Sequence, residues 1–308
     1  MRYYFAPMEG LTDSVYRRLH HKYFPGIDRY YMPFISPTIH RTLTHREDRE
    51  LPFADREPFC AVPQILTKVP EDFLWAAEQC AARGYEEVNL NLGCPSGTVV
   101  SKGKGSGMLA KPDELDRFLE RIFAESCLPI SVKTRLGIAD PGEFPALLEI
   151  FNRYPIRELT VHPRVRKTFY QGPVEMDMFR FCAEHSRNPL CYNGDLMNRE
   201  DIRGIREEFP AVDAVMIGRG LIGDPGMLSS GGTTADALEA FHVELLDTYT
   251  GLFGGARNAM FRLKENWGHI LPRFAVEEKL AKRLRKATDL GEYKAVTQEI
   301  FHYIRSRE

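Results

Sequence analysis

The stretch VNLNLGCP at residues 88–95 decides the fold that we expect for this chain of 308 residues. Its apolar residues alternate with two asparagines, which is the two-residue period of a β-strand with Asn89 and Asn91 on one face. A glycine and a proline then hold Cys94 in a tight loop after the strand. Two amides on one strand face need polar partners, and barrel enzymes place their active sites at the C-terminal ends of their strands. We therefore expect a functional site where this strand ends.

Short apolar segments of this kind recur along the first two thirds of the chain, and most are followed by a stretch with helical spacing. Eight strands that alternate with helices favour a closed parallel sheet, because a (β/α)8 barrel of about this length is a common single domain. The predicted strands are 3–6, 29–34, 59–66, 87–92, 130–135, 158–162, 190–193 and 214–218, and the predicted helices include 12–23, 71–83, 112–125, 145–154, 176–185 and 199–208.

The composition changes at residues 229–234, SSGGTT, which predict a polar, flexible linker. Beyond it apolar residues recur with a period of 3.6, as from Leu238 to Leu252, which predicts a small helical domain. We therefore predict a catalytic barrel over residues 1–230 and a helical domain over residues 235–308. From Ala256 onward there are 12 Lys and Arg against 7 Asp and Glu, which suggests a polyanionic partner, although solvated helix faces carry such charges equally well.

Several classes of protein are excluded by composition. A net charge of −2 gives no global attraction to nucleic acid, and the absence of a long apolar run excludes a membrane span. The N-terminus lacks the features of a secretory signal, so we expect a cytoplasmic protein. The six cysteines have no metal-ligand spacing, which predicts no metal site and mostly buried, reduced thiols. The glycine-rich loop 97–107 matches neither phosphate-binding nor dinucleotide-binding motifs, and we interpret it as a mobile loop.

Charged and glycine-rich positions close three further strands. Lys133 and Arg135 share one face of the predicted strand 130–135, where two cations in a core need an anionic or electron-rich ligand between them. The alternative is that Arg135 extends into solvent beyond the strand. Asn-Gly-Asp at 193–195 and Gly-Arg-Gly at 218–220 end the last two strands, where barrels often bind phosphate.

Taken in order, these residues make the sequence resemble the tRNA-dihydrouridine synthases. The resemblance extends over the barrel and, less specifically, into the helical region. It implies an FMN-containing (β/α)8 barrel followed by a small helical tRNA-binding domain, and an enzyme that reduces particular uridines in tRNA to 5,6-dihydrouridine. The residues that carry it are Ala6, Pro7, Met8, Gln64, 91–95, 133–135, His162, 193–195 and 218–220.

The resemblance also implies roles for these residues. NADPH or NADH reduces FMN, the flavin N5 transfers hydride to C6 of uracil, and Cys94 donates a proton to C5, while Asn91 orients the base. Cofactor contacts are implied for Ala6, Pro7, Met8, Gln64, Lys133, His162, Asn193, Gly194, Asp195, Gly218 and Arg219, and substrate contacts are predicted for Asn91, Arg135, Lys282, Arg283 and Lys286. We expect a monomer whose macromolecular partner is tRNA.

Two alternatives and one departure accompany this prediction. A small-molecule FMN reductase resembling dihydroorotate dehydrogenase would use similar chemistry, and a non-catalytic RNA-binding barrel would keep the fold alone. The basic helical extension favours RNA over a small substrate, and the intact Cys94 and Lys133 favour an enzyme. After His162 the residues Pro-Arg-Val-Arg at 163–166 depart from the pattern of the family, which commonly has a small residue before the arginine and a threonine after it.

Overall fold

The computed structural model describes residues 1–308 and confirms the barrel. All paired strands are parallel, and every predicted strand is present: the strand at 130–135 has the predicted bounds, the first is shifted by one residue, and the others are shorter. The strands are β1 Arg2–Phe5, β2 Arg29–Tyr31, β3 in two segments Ala61–Val62 and Gln64–Ile65, β4 Val88–Leu92, β5 Ile130–Arg135, β6 Leu159–His162, β7 Leu190–Tyr192 and β8 Ala214–Ile217.

The barrel closes at β3, where Pro63 divides the strand. Proline has no backbone N–H, so it interrupts the ladder of hydrogen bonds. The segment before it pairs with β2 and the segment after it pairs with β4, while β1 pairs with β8 at the other side. The carbonyl of Pro63 still accepts a hydrogen bond from the Asn89 amide at 2.8 Å. One strand therefore joins both edges of the sheet and closes the barrel.

Helices cover the outside of the barrel and fill the C-terminal part of the chain. The glycine-rich stretch that we interpreted as a mobile loop contains regular structure: Gly97–Val100 is helical, and Gly105–Ala110 forms a 3-10 helix. The helices are α1 Ser14–Tyr23, α2 His45–Glu50, α3 Pro70–Ala82, α4 Gly97–Val100, α5 Pro112–Glu125, α6 Phe144–Phe151, α7 Met176–His185, α8 Arg199–Glu208, α9 Arg219–Gly223, α10 Ala235–Leu252, α11 Ala256–Arg273, α12 Glu278–Lys286 and α13 Leu290–Arg305. None of them is long and apolar enough to cross a bilayer.

The helices α10 to α13 pack on the barrel through apolar side chains. Phe241 of α10 contacts Tyr16 and Phe24 at ring-centroid distances of 5.4 and 5.3 Å. The core continues from the barrel into these helices without a break. The preceding linker is held in place, because Ser229 donates to the Pro25 carbonyl and Thr233 donates to Asp224. The boundary between two domains at residues 230–235 stays a prediction.

The barrel interior is apolar on one side and polar on the other. Seven side chains form its apolar part, and they come from β1, β2, β3, β7 and β8. The strands β3 to β6 contribute polar groups instead, among them Gln64, Asn89, Ser131 and Thr160, all of them buried. In such barrels the binding site lies at the C-terminal ends of the strands, and these polar side chains lie on the strands that lead to it.

Candidate active site

A cavity of about 300 Å³ opens at the C-terminal ends of the strands. This volume lies at the lower end of the range of small-molecule sites. The structure brings together there every cofactor-binding residue that the sequence predicted, together with Cys94, Asn91 and Arg135. The predicted residues that line the cavity are Ala6, Pro7, Met8, Gln64, Asn91, Cys94, Lys133, Arg135, His162, Asn193, Gly194, Asp195, Gly218 and Arg219.

Cys94 lies in the loop after β4 and is held by its backbone. Its N–H donates to the side-chain oxygen of Asn91 at 2.9 Å, and its carbonyl accepts from the hydroxyl of Ser106 at 2.8 Å. Gly105 packs directly against it with φ of +58°, and a Cβ at that position would lie 3.1 Å from the Cys94 Cβ. Burial raises the pKa of the Cys94 thiol, so the thiol is protonated at neutral pH.

A chain of side-chain amides crosses three strands and ends at the Cys94 loop. Asn89 donates to Ser131, Gln64 donates to Asn89, and Asn91 donates to Gln64, with donor–acceptor distances of 2.7 to 2.9 Å. The oxygen of Asn91 accepts from two backbone N–H groups, those of Gly93 and Cys94. Asn91 therefore shapes the cysteine loop, a positioning role that the sequence pattern did not indicate.

Lys133 places a cation in the cavity with no carboxylate beside it. The pKa of Lys133 is lowered to about 8, mainly by burial and secondly by the positive charge of Arg135. The other groups that act on it are the thiols of Cys191 and Cys94. A partly buried ammonium without a negative partner is costly, because it has lost much of its water and gained no counter-charge. The site therefore favours an anionic or electron-rich ligand.

Arg135 is only 1% exposed, so the alternative that it extends into solvent is wrong. Its guanidinium donates to the carbonyls of Gly93, Val165 and Phe169 at 3.0, 3.1 and 2.6 Å. It also stacks on the ring of Tyr170 at 5.1 Å. Carbonyl oxygens thus satisfy Arg135, and no anion is needed between Arg135 and Lys133 to explain it.

His162 and the residues after it form a second charged group at the cavity. Arg164 is buried, pairs with the carboxylate of Asp195 and donates to Nε2 of His162 at 3.2 Å, which leaves the proton of a neutral ring on Nδ1. Burial and the nearby arginines and lysine lower the pKa of His162 well below its usual value. Arg219 also pairs with Asp195, at 2.6 Å. Arg164 therefore fastens Asp195 to the His162 loop, and the departure from the family pattern is confined to its neighbours Pro163 and Val165.

Tyr170 is a residue of the cavity wall that the sequence analysis missed. Its ring stacks on His162 with 6.0 Å between centroids, and the guanidinium of Arg219 lies 5.3 Å from its centroid. It is also half exposed, as is its neighbour Phe169, which has φ of +52°. An aromatic residue in an irregular loop has no periodic pattern, so only the tertiary contacts reveal it.

The predicted substrate contacts of the helical region lie away from the cavity. Lys282, Arg283 and Lys286 are exposed on α12. Arg283 forms two hydrogen bonds with Glu299, at 2.5 and 2.8 Å, whereas neither lysine has a carboxylate partner. The cluster is thus less basic than its sequence suggests. The expectation of mostly buried cysteines is also wrong, since only Cys80, Cys182 and Cys191 are buried.

Comparisons with known proteins agree with this geometry. A family model described as "Dihydrouridine synthase (Dus)" matches residues 4–305. The chain is 30% identical over 226 residues to tRNA-dihydrouridine synthase B of Pasteurella multocida, covering 73% of this chain and 67% of that protein. It is 32% identical to a probable tRNA-dihydrouridine synthase of Staphylococcus aureus, covering 71% and 68%. A solved structure of a morphinone reductase mutant in complex with tetrahydroNAD shares the fold at 10% identity, with a TM-score of 0.51 and coverage of 79% of this chain and 86% of that one.

Proposed function

We propose that this chain, which belongs to the dihydrouridine synthase (Dus) family, reduces particular uridines of tRNA to 5,6-dihydrouridine with bound FMN and NADPH or NADH. The family match and the relatives confirm the family and the enzyme class that the sequence resembled, while the cofactor and the substrate are our proposals. The observation that carries them is the pairing, in one cavity, of a cation without a counter-charge at Lys133 and a protonated thiol at Cys94.

The residues of the cavity fit an FMN molecule. Ala6, Pro7 and Met8 supply an apolar wall on one side, which suits a flat aromatic ring system. Gln64 has used one of its two amide N–H groups on Asn89 and keeps the other as a donor. Lys133 adds a positive charge with no partner. Such a donor set suits the oxygen and nitrogen atoms along the polar edge of a flavin.

The second group of residues fits the ribityl phosphate. Asn193 donates to the Met216 carbonyl at 2.7 Å, which ties the loop after β7 to strand β8 at the cavity. Arg219 is a third exposed and can turn its guanidinium toward a phosphate, although it then gives up part of its pairing with Asp195. Arg164 remains on Asp195 in that case, so the carboxylate stays neutralised.

Bound FMN, once reduced by NAD(P)H, would supply a hydride to C6 of the uracil. The part of Lys133 is to offset negative charge on the cofactor, because an ammonium in a low-dielectric cavity interacts with a nearby anion far more strongly than in water. Its unliganded pKa of about 8 leaves it mostly protonated at neutral pH, and a bound anion raises the protonated fraction further.

Cys94 supplies the proton that C5 of the uracil then needs. Its raised pKa keeps the proton on sulfur until a stronger base forms beside it. Asn91 and Ser106 hold the loop on both sides of the cysteine, so the thiol reaches the substrate from a fixed direction. The uracil must leave the stacked RNA to enter the cavity. The half-exposed rings of Phe169 and Tyr170 beside the opening suit contact with an unstacked base.

The experiment that tests this proposal uses the purified full-length protein and tRNA that lacks dihydrouridine. We expect a yellow protein that releases FMN on denaturation, and mass spectrometry should find a gain of two mass units at particular uridines after incubation with NADPH. A colourless protein that takes up no FMN would contradict the cofactor. A yellow protein that reduces a free pyrimidine but leaves tRNA unchanged would favour the small-molecule reductase instead.

A further inference from the structure

Two segments of the barrel that line the cavity lie against each other in its wall. One follows β1 and carries Pro7 and Met8, and the other follows β8 and carries Gly218 and Arg219. The strands β1 and β8 are neighbours in the sheet. Gly218 lies against the side chain of Met8, since a Cβ there would be 3.0 Å from the Met8 sulfur. A shift in either loop therefore changes the shape of the same part of the cavity.

The helix α11 contacts the first loop through an ion pair. Arg262 donates to Asp13 at 2.9 Å, and the side chains of both residues are more than four-fifths buried. Tyr249 of α10 donates to the other oxygen of Asp13 at 2.8 Å. Asp13 in turn caps α1 by accepting from the backbone N–H of Tyr16. The end of the loop that begins at Pro7 is thus held by the helical region.

Three turns further on, the same helix contacts the C-terminal end of α9, the short helix that follows Gly218. Nε of Arg273 donates to one oxygen of Asp224 at 3.0 Å, and a terminal nitrogen of the same guanidinium lies 2.7 Å from that oxygen. Thr233 donates to the other oxygen. Gly223 permits backbone contact at this point, because a Cβ there would lie 2.9 Å from the carbonyl oxygen of His269. The short helix α9, which begins at Arg219, is therefore fixed at its C-terminal end by contacts with α11.

The spacing of the residues along α11 lets one face of the helix make both contacts. Arg262, His269 and Arg273 are separated by seven and four residues, which places them within about 20° of one face of a helix. The rise between the two arginines is about 16 Å. α11 is helical from Ala256 to Arg273, with Pro272 in its last turn, whereas the loop after β1 has no helix or strand and the segment after β8 is Gly218 followed by the five-residue helix α9. The helix can therefore hold both loops at a set separation.

We propose that α11 is a positioning element of the cofactor site, and that its ion pairs Arg262–Asp13 and Arg273–Asp224 raise the affinity of the barrel for FMN. The inference rests on the proposed function, since FMN is the ligand. The physical reason is preorganisation, because loops that are ordered before binding do not lose that conformational entropy when the ligand arrives. The helical region then serves the flavin as well as the RNA.

The test measures FMN affinity of full-length apo-protein by flavin fluorescence, well below the unfolding temperature. Arg273→Ala and Arg262→Ala should each weaken FMN binding by about five- to tenfold, a size typical of coupling between sites. Arg273→Lys should restore most of the affinity, since it restores the charge beside Asp224. Arg305→Ala is the matched control, because Arg305 pairs with Asp236 and Glu239 within the helical region and touches neither loop.

Hydrogen exchange gives a second readout on the apo-protein. Peptides covering residues 7–13 and 218–224 should exchange faster in the alanine variants, with the rest of the barrel unchanged. If Arg273→Ala fails to fold, Arg273→Gln keeps most of the side chain and is judged by the same criteria. Wild-type affinity in both alanine variants, or a loss that Arg273→Lys does not restore, would overturn the inference. Failure of the wild-type protein to bind FMN would instead contradict the proposed function.

Discussion

The two ends of the barrel both bury charged side chains, but they satisfy them differently. At the N-terminal ends of the strands, Glu87 pairs with Arg29 and Arg157, each at 2.9 Å. Glu158 there pairs with Arg2 at 3.1 Å and accepts from the hydroxyl of Tyr4 at 3.0 Å. At the C-terminal end, Lys133 has no carboxylate partner at all.

This difference separates charges that serve the fold from charges that serve a ligand. The paired groups at the N-terminal end recover in protein contacts what they lose in hydration, so removing one partner destabilises the fold. The lone ammonium at the C-terminal end costs stability until a ligand neutralises it. Replacing a charged side chain with methionine should therefore destabilise the fold at the N-terminal end and weaken ligand binding at the C-terminal end.

The largest effect is expected for Cys94→Ala at the C-terminal end, compared with Cys60→Ala at the opposite end. Cys94→Ala should lower the rate of uridine reduction by about 10²- to 10⁴-fold, the typical contribution of a general acid, while FMN affinity stays near that of the wild type. Cys60→Ala, at the N-terminal end, is the control and should keep full activity. Single-turnover rates with reduced enzyme and tRNA provide the measurement. Equal rates in both variants would show that Cys94 only packs.

Arg29→Met tests the paired end of the barrel. Glu87 would keep Arg157 but lose its more buried partner, since the Arg29 side chain is 17% exposed and that of Arg157 is 40% exposed. We expect the free energy of unfolding to fall by about 2 kcal/mol, somewhat less than for a pair that is broken completely. Urea denaturation measures this loss. FMN affinity should not change, and a weaker affinity would argue against the separation of the two ends.

Lys133→Met makes the same kind of substitution at the unpaired end. The apo-protein should keep its stability or gain up to about 1 kcal/mol, because a hydrophobic side chain replaces a partly buried charge without a partner. FMN binding should weaken by about 10- to 100-fold, which corresponds to a hydrogen bond from a charged donor. Denaturation and fluorescence titration of one preparation give both numbers. A destabilised variant with normal FMN affinity would reverse the roles assigned to the two ends.

The pH dependence sharpens this contrast. Since the folded-state pKa of Lys133 is about 8 and its ordinary value is 10.5, the unfolded chain binds more protons between these values. The stability of the apo-protein attributable to Lys133 therefore rises with pH over this window, and its full cost is present below pH 8. A bound anion raises the pKa, so FMN affinity should fall as pH rises above 8. Lys133→Met should lack this dependence between pH 7 and 9.5.

The smallest effect is expected on α12. Lys282→Ala and Lys286→Ala should each reduce the salt dependence of tRNA binding by about one unit of slope, because each lysine is free to neutralise a phosphate. Arg283→Ala should change it less, since that arginine is already paired with Glu299. Filter binding at several salt concentrations measures the slopes. Reversal of all three charges with no change in slope would remove α12 from the RNA interface.

Much of the barrel was predictable, because alternation is a local property of the sequence. The strand that precedes Cys94 and the face shared by Asn89 and Asn91 both follow from a two-residue period. The closure at Pro63 could not be predicted, because it depends on which strands pair with each half of β3. Tyr170 and Arg164 were missed for the same reason, as their partners lie on other loops.

By itself, the sequence determined the order of strands and helices and the end of the barrel that carries the site, because these follow from periodicity and from residues next to each other in the chain. Most of the residues expected around the site came from the resemblance to the tRNA-dihydrouridine synthases. Only the tertiary structure decided which charges have partners. It shows Arg135 bonded to three carbonyls, Arg283 paired with Glu299, and Lys133 alone. It also brings α11 against both loops of the cavity. Partners distant in the chain meet only through folding, and their distances decide whether a buried charge stabilises the protein or binds a ligand.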